Sequence, residues 1–165
     1  MSYRKLVIVT GGAGFVGSHL VEALLEEYDV LCIDNYCTGN EENLSAAKMK
    51  ASALGSKLHC LKMDVTASKF VNEVYYAVST YFNSRPVWAY LNFACPASPV
   101  AYQEKPMSTL DTCYIGTKHA MAFAKMGSRV LHASTSEVYG DPEVHPQQET
   151  YKGSVNTWGP RACYD

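Results

Sequence analysis

The stretch VTGGAGFVGSHL, beginning at Val9, constrains the fold more than any other part of the chain. An apolar run leads directly into it and an amphipathic pattern leaves it, so it reads as a turn from a strand into a helix. Gly12, Gly14 and Gly17 fit the spacing GxGxxG, and Gly11, Gly14 and Gly17 fit the variant GxxGxxG. Glycine allows such a turn to be tight and lets a diphosphate approach backbone N–H groups at a helix N-terminus, where the partial positive charge stabilises an anion. A glycine-rich turn alone is a weak signal. Its context strengthens it, because Asp34 ends the next apolar run twenty residues beyond Gly14. A carboxylate there can accept hydrogen bonds from both hydroxyls of a ribose and would repel a 2′-phosphate. NAD is therefore the expected coenzyme, in preference to NADP.

The rest of the chain supplies a matching scaffold. Leu6 to Val9, Val30 to Ile33, Leu58 to Met63, Val87 to Phe93 and Val130 to Ala133 read as buried strands. Helical spacing lies between them. One helix is expected to carry Val16, Leu20, Val21, Leu24 and Leu25 on a single face, and another Phe70, Val71, Val74, Tyr75, Val78 and Phe82. Asn40 to Gly55 reads as a more exposed helix, and the Pro, Gly and polar text after Gly140 as a long loop. Alternation of this kind predicts an α/β fold of Rossmann type, a parallel sheet of at least five strands with helices on both faces and ligands at the strands' carboxyl ends. The 165 residues suit one domain, spanning 1–165.

Composition narrows the partners. Hydrophobic residues make up 47% and charged residues 18%, with a formal net charge of −2, which argues against disorder and against an electrostatic nucleic-acid binder. The partner expected is a small molecule. No signal peptide or bilayer-length span is read in MSYRKLVIV, so the six cysteines (Cys32, Cys37, Cys60, Cys95, Cys113, Cys163) are expected to be reduced and the protein cytoplasmic, with no membrane partner. No cysteine pair has CxxC spacing, and His19, His59, His119, His132 and His145 share no ligand spacing with them, so no metal site is expected.

Taken together, TGGAGFVGSHL, DNYCTGN, NFACPASPVAY and the long block ASTSEVYGDPEVHPQQETYKGSVNTWGPRACYD resemble the extended short-chain dehydrogenase/reductases, and within them the UDP-glucuronic acid decarboxylases that make UDP-xylose. The resemblance implies Thr135, Glu137 and Tyr164 as catalytic residues. It implies a coenzyme surface of Gly11, Gly14, Phe15, Val16, Asp34, Asn35, Thr38, Gly39, Asp64, Val65, Phe93, Cys95, Thr112, Ala133 and Tyr164. Asp64 can equally serve as a cap for the helix that follows it. Tyr102 and Lys125 match positions that hold the sugar acid and the nucleotide phosphates, against the plainer roles of a packed aromatic and a solvated lysine. A UDP-sugar is the implied substrate and a homodimer the implied assembly, through helices that include Met107 to Met126.

Two neighbouring activities and one non-catalytic reading compete with decarboxylation. Nucleotide-sugar 4,6-dehydratases tend to carry an Asp-Glu pair after the threonine, where this chain has Ser136 and Glu137; a 4-epimerase gives that glutamate no evident task. Asp111, Cys113 and Met126 depart from the decarboxylase pattern, which usually shows lysine, asparagine and arginine there. Charge-assisted contacts contribute roughly 1.5 to 3 kcal/mol each, so substrate binding is expected to be weakened. The family's tyrosine opens YxxxK, and the sequence ends one residue after Tyr164. A cation about 5 Å from a phenol contributes about 3 kcal/mol at an effective dielectric near 20, roughly two pKa units. The expectation is an N-terminal half lacking the substrate domain, with its active ionised form depleted on the order of a hundredfold, or else a residual NAD-binding or interaction module.

Overall fold

The computed structural model describes residues 3–165. Five parallel strands form one sheet: β1 (Lys5–Thr10), β2 (Tyr28–Asp34), β3 (Leu58–Lys62), β4 (Val87–Asn92) and β5 (Arg129–His132), in the spatial order β3-β2-β1-β4-β5. The chain runs outward from β1 to β3, then crosses back to place β4 on the other side of β1. The reversal between β1 and β4 makes a crevice at the carboxyl ends of the strands, where connecting segments leave in opposite directions. Each strand agrees with the apolar run that predicts it to within two residues.

Helices cover both faces. On one side α1 (Phe15–Leu24) and α2 (Ser45–Leu54) bury Val21, Leu25, Leu44, Ala47 and Ala51 against Val7, Val9, Val30 and Cys32 of the sheet. On the other, α3 (Phe70–Phe82) and α5 (Pro106–Lys125) enclose Leu6, Ile8, Leu31, Ile33 and Tyr90 with Phe70, Val74, Val78, Phe82, Ala120 and Phe123. Odd and even positions of β1 thus feed opposite cores, the period-2 behaviour of a strand buried on both faces. A short helix, α4 (Pro99–Glu104), follows β4.

The α1 face differs from the reading of the sequence. Its buried residues are Gly17, Ser18 and Val21, while Val16 is 58% exposed. The reason is the close approach of Gly17 to the turn beneath it, which rotates Val16 away from the sheet. The Asn40 to Gly55 segment is likewise two pieces, a 3₁₀ turn over Glu41–Leu44 capped by the Asn40 side chain on Glu42 N–H, then α2. Gly55 ends α2 in the left-handed region at φ 64°, a common glycine termination. β5 is also less buried than expected, with Leu131 half exposed, because it is the sheet's edge.

At the amino end of the sheet, away from the crevice, Arg85 donates to Asp29 at 2.6 Å, to Arg4 O at 2.7 Å and to Phe82 O at 3.0 Å. Asp29 also accepts from Lys57 N–H at 2.7 Å. This network ties β1, β2 and the end of α3 together. The text after Gly140 forms the long loop expected of it, pinned by the Gly140–Ser154 bridge.

Candidate functional site

The glycine turn is built by near-contacts that only hydrogen tolerates. A Cβ at Gly11, which has φ +70°, would lie 2.5 Å from Phe93 O; one at Gly12 would lie 2.4 Å from the Cys32 sulfur; one at Gly17 would lie 2.1 Å from Gly11 O. Gly12 therefore packs inward on β2 and Gly17 seats α1 on the turn. A Cβ at Gly14 meets only Gly11 O, at 3.3 Å. Gly11 and Gly14 face the crevice, so the working spacing is GxxGxxG, with Gly12 a packing residue. Gly14 is the N-cap of α1 and supplies no side chain to its first-turn amides. Those N–H groups are left for another acceptor, the arrangement that suits an anion.

Two lobes of about 340 Å³ and 530 Å³ meet along this turn, sharing Gly11, Gly14, Thr38, Phe93 and Cys95 as walls. The smaller lobe runs past the carboxyl ends of β2 and β3 and is lined by Asp34, Asn35, Asp64, Val65 and Thr112. The larger runs toward β5 and is lined by Phe15, Val16, Ala133, Thr135 and Tyr164. All but one of the coenzyme residues implied by sequence thus line a single cleft. Gly39 lies behind it, where a Cβ would sit 2.8 Å from Ala13 O, and Asn40 N–H and the Asn43 amide donate to that same carbonyl.

Asp34 is buried at the end of β2, and its carboxylate accepts from Ala13 N–H and Tyr36 N–H, both at 2.8 Å. Each oxygen keeps a lone pair for a further donor. The same side chain therefore shapes the glycine turn and presents acceptors to the smaller lobe. Asp64 lines the lobe and accepts from Thr66 N–H at 2.8 Å and Thr66 Oγ1 at 2.7 Å, with Asn35 donating to its other oxygen at 2.8 Å, but it is not the cap of the next helix, whose N-cap is Lys69. It caps the Asp64–Ala67 turn, several residues before α3 begins. Burial opposes its ionisation, yet the bonds from Thr66 and Asn35 outweigh that and hold its pKa below the ordinary value.

In the larger lobe Thr135 caps a 3₁₀ turn over Ser136–Tyr139, its Oγ1 accepting from Glu137 N–H at 3.2 Å, so its hydroxyl proton is free to be donated into the lobe. Glu137 is bridged by Arg161, whose guanidinium also approaches Asp165 at 3.7 Å. Tyr164 lies in a turn whose amide bonds to Arg161 O at 2.8 Å, and its ring stacks on Tyr102 with centroids 4.7 Å apart. Thr135 and Tyr164 share the lobe, and Arg161 links their two segments.

The two residues matched to the substrate sit elsewhere. Tyr102 is 2% exposed beneath Tyr164 and lines neither lobe, so its observed role is the packed aromatic. Lys125 is exposed in the last turn of α5. It lies about 20 Å along the helix from Thr112 at 1.5 Å per residue. It too lines neither lobe. Met126 accepts from the Tyr75 hydroxyl at 2.7 Å, and Asp111 is exposed on α5.

Spacing along the sequence gives no hint of one feature: Cys95 and Cys113 bring their sulfurs to 3.6 Å, 18 positions apart. The hydrogen bond with Cys95 holds the Cys113 thiol down at about 7 against the opposing effect of burial, and that same contact together with burial pushes Cys95 up. Among the described residues no group of three or more His, Cys, Asp or Glu side chains could hold a metal, and no helix is long and apolar enough to cross a membrane.

Residues 8–165 match the family described as GDP-mannose 4,6 dehydratase. The chain is 43% identical over 164 residues to UDP-glucuronic acid decarboxylase 6 of Arabidopsis thaliana, covering 96% of this chain and 42% of that protein. It thus spans less than half the length of that curated relative. Among solved structures it superposes with a TM-score of 0.74 on a UDP-N-acetylglucosamine 4-epimerase from Methanobrevibacter ruminantium in complex with UDP-N-acetylmuramic acid, at 24% identity, over 99% of this chain and 47% of that one. A UDP-glucose 4-epimerase from Bifidobacterium longum in complex with NAD+ and UDP gives a TM-score of 0.71 at 24% identity, over 91% and 43%. These superpositions show the fold, a Rossmann-type parallel sheet, over less than half of each of those chains. With its glycine turn, its parallel sheet and the family match over nearly its whole length, the chain belongs to the extended short-chain dehydrogenase/reductases, in the family described as GDP-mannose 4,6 dehydratase.

Proposed function

We propose that residues 1–165 form the NAD-binding domain of a UDP-glucuronate decarboxylase, an enzyme that converts UDP-glucuronate to UDP-xylose and carbon dioxide through a 4-keto sugar. The observation that carries the coenzyme reading is the single two-lobed cleft hinged on Gly11 and Gly14, with Asp34 in one lobe and Thr135 and Tyr164 in the other. The donor set fits NAD: uncapped α1 amides for a diphosphate, and for a ribose Asp34, whose carboxylate repels a 2′-phosphate. When bound, NAD supplies reversible hydride transfer at the sugar's C4.

The chain's own residues then have distinct tasks. Thr135 Oγ1 donates to the C4 oxygen, and Tyr164 holds or returns the proton of that oxygen. A ketone at C4 is β to the C6 carboxylate, so carbon dioxide departs with its bonding electrons left as an enolate. Glu137 lines neither lobe and is bridged by Arg161, so it manages the proton on that carbon only once released from that bridge. Arg161 acts as a positioning residue that keeps Glu137 and the Tyr164 turn in register. Tyr102 orients Tyr164 by stacking rather than by touching substrate. The exposed face of α5 carrying Met107, Leu110, Tyr114 and Met121 supports a homodimer of the enzyme, at helical spacing on one side.

Calorimetry of the 165-residue chain with NAD and with NADP tests the coenzyme reading: NAD is expected to bind more tightly, Asp34→Ala to remove the preference, and tighter NADP binding would overturn it. Incubating UDP-glucuronate and NAD with a chain extended to the length of the decarboxylases should release carbon dioxide and UDP-xylose. A 4-keto-6-deoxy sugar formed from a UDP-hexose would assign it to the dehydratases instead. The Arg161 bridge to Glu137 favours a second reading for the 165 residues alone, a module that binds NAD without turnover. Measurable carbon dioxide release by those residues alone would refute it.

A further inference from the structure

Cys95 and Cys113 belong to different elements, the exit of β4 and the middle of α5, and meet at the wall between the two lobes. Cys95 lines both lobes and Cys113 the larger one, so a small solute in the cleft reaches both sulfurs. Their separation of 3.6 Å exceeds a disulfide bond of about 2.05 Å by about 1.5 Å, a gap that side-chain rotation can close. The third nearby thiol, Cys163, is turned toward Tyr102 O at 3.8 Å. Cys32 and Cys60 are partners across β2 and β3, but Cys32 is 1% exposed within a core cluster and closed to solutes. Only at the cleft wall do two thiols of the described residues combine contact with access.

We propose that Cys95 and Cys113 form an oxidative modification site, a dithiol that hydrogen peroxide converts to a reversible disulfide within the cleft. In the first step the Cys113 thiolate attacks one peroxide oxygen: an S–O bond forms, the O–O bond breaks, and the departing oxygen leaves as water after taking a proton. In the second, the Cys95 sulfur displaces the hydroxyl of the Cys113 sulfenic acid: the S–S bond forms, the S–O bond breaks, and a second water leaves with the Cys95 proton. Two thiols lose two electrons in total and the peroxide gains them. Cys113 is assigned as the attacking partner because it meets Cys95 at 3.6 Å in the larger lobe and that contact holds its thiol below the ordinary value.

The 165-residue chain is treated with a small molar excess of hydrogen peroxide, its free thiols are alkylated, and its peptides are weighed. The expected product is a Cys95–Cys113 linked peptide that dithiothreitol reopens, with Cys32 unmodified. In Cys95→Ser the reaction should stop at a sulfenic acid on Cys113, trapped by dimedone, and in Cys113→Ser Cys95 should stay largely reduced. The pH midpoint for alkylation of Cys113 should lie near 7 in the parent and rise in Cys95→Ala, which removes the hydrogen-bond partner that Cys95→Ser keeps. Oxidation of exposed Cys37 while Cys113 stays reduced, or a dominant disulfide to Cys163, would overturn the proposal. No coenzyme is present in these measurements, so their failure is separable from failure of the NAD reading.

Discussion

Replacing Gly17 by alanine should damage the fold and the cleft together. The added methyl would lie 2.1 Å from Gly11 O, 2.8 Å from Gly12 Cα and 2.9 Å from Gly11 C, all backbone atoms that cannot rotate aside. Restoring ordinary carbon contacts of about 3.5 Å requires α1 to retreat from the turn by roughly 1 Å. Overpacking of this kind costs about 1 to 3 kcal/mol, and the better helix propensity of alanine returns up to about 1 kcal/mol. The net loss, up to about 2 kcal/mol, corresponds to a melting temperature lower by up to about 8 °C for a chain of this size. Retreat of α1 also draws its first-turn amides away from Gly14, so NAD affinity by calorimetry should fall more than stability alone would dictate. Gly159→Ala is the matched control, since its methyl meets only the Asn156 side-chain amide at 3.5 Å, and it should shift stability by less than about 0.5 kcal/mol. A Gly17→Ala protein that melts with the parent and keeps its NAD affinity would refute the claim that this contact seats the helix.

Arg85→Ala removes the partner of a nearly buried Asp29 and should cost about 3 to 5 kcal/mol in urea denaturation, leaving NAD affinity unchanged in the protein that remains folded; a loss under 1 kcal/mol would show that the carboxylate finds water instead. Asp64, held below its ordinary value of 3.8, contributes stability that is complete above that value and is lost as pH falls through the lower folded one. Asp64→Asn should therefore flatten the acid limb of a stability profile taken between about pH 2 and 6, and an unchanged limb would remove Asp64 from the account. Arg161→Gln should leave the melting temperature nearly unchanged, because the Arg161–Glu137 bridge is open to solvent; a marked drop would mean that the bridge organises the whole terminal loop.

The strands and most of the helices were legible because they are buried on period 2 or 3.6, and burial writes itself into residue type. β1 shows this most plainly: Leu6 to Val9 is continuous in hydrophobicity, which predicts a strand covered on both sides, and its alternate residues enter separate cores. Legibility failed where a contact between distant segments set the orientation. Val16 is as apolar as Val21, and only the close seating of Gly17 on the turn, where an added Cβ would lie 2.1 Å from Gly11 O, decides that Val16 turns outward. The choice between GxGxxG and GxxGxxG is of the same kind, since it depends on the Cys32 sulfur lying under Gly12.

The site divides along the same line. Asp34, Thr135 and the glycine turn are each fixed by a strand end, so topology alone delivers them to one cleft once the parallel order is known. Tyr102, Lys125 and the thiols owe their surroundings to helices whose rotation the sequence leaves open. Position 125 follows Thr112 by three and a half turns of α5, a distance that removes it from the cleft whatever its charge. Cys113 stands where the resemblance leads one to expect an asparagine, and in sequence that is only a lost amide. In the fold it faces Cys95 at 3.6 Å, so the same substitution that removes a polar contact from the cleft also gives its wall a pair of groups able to exchange electrons.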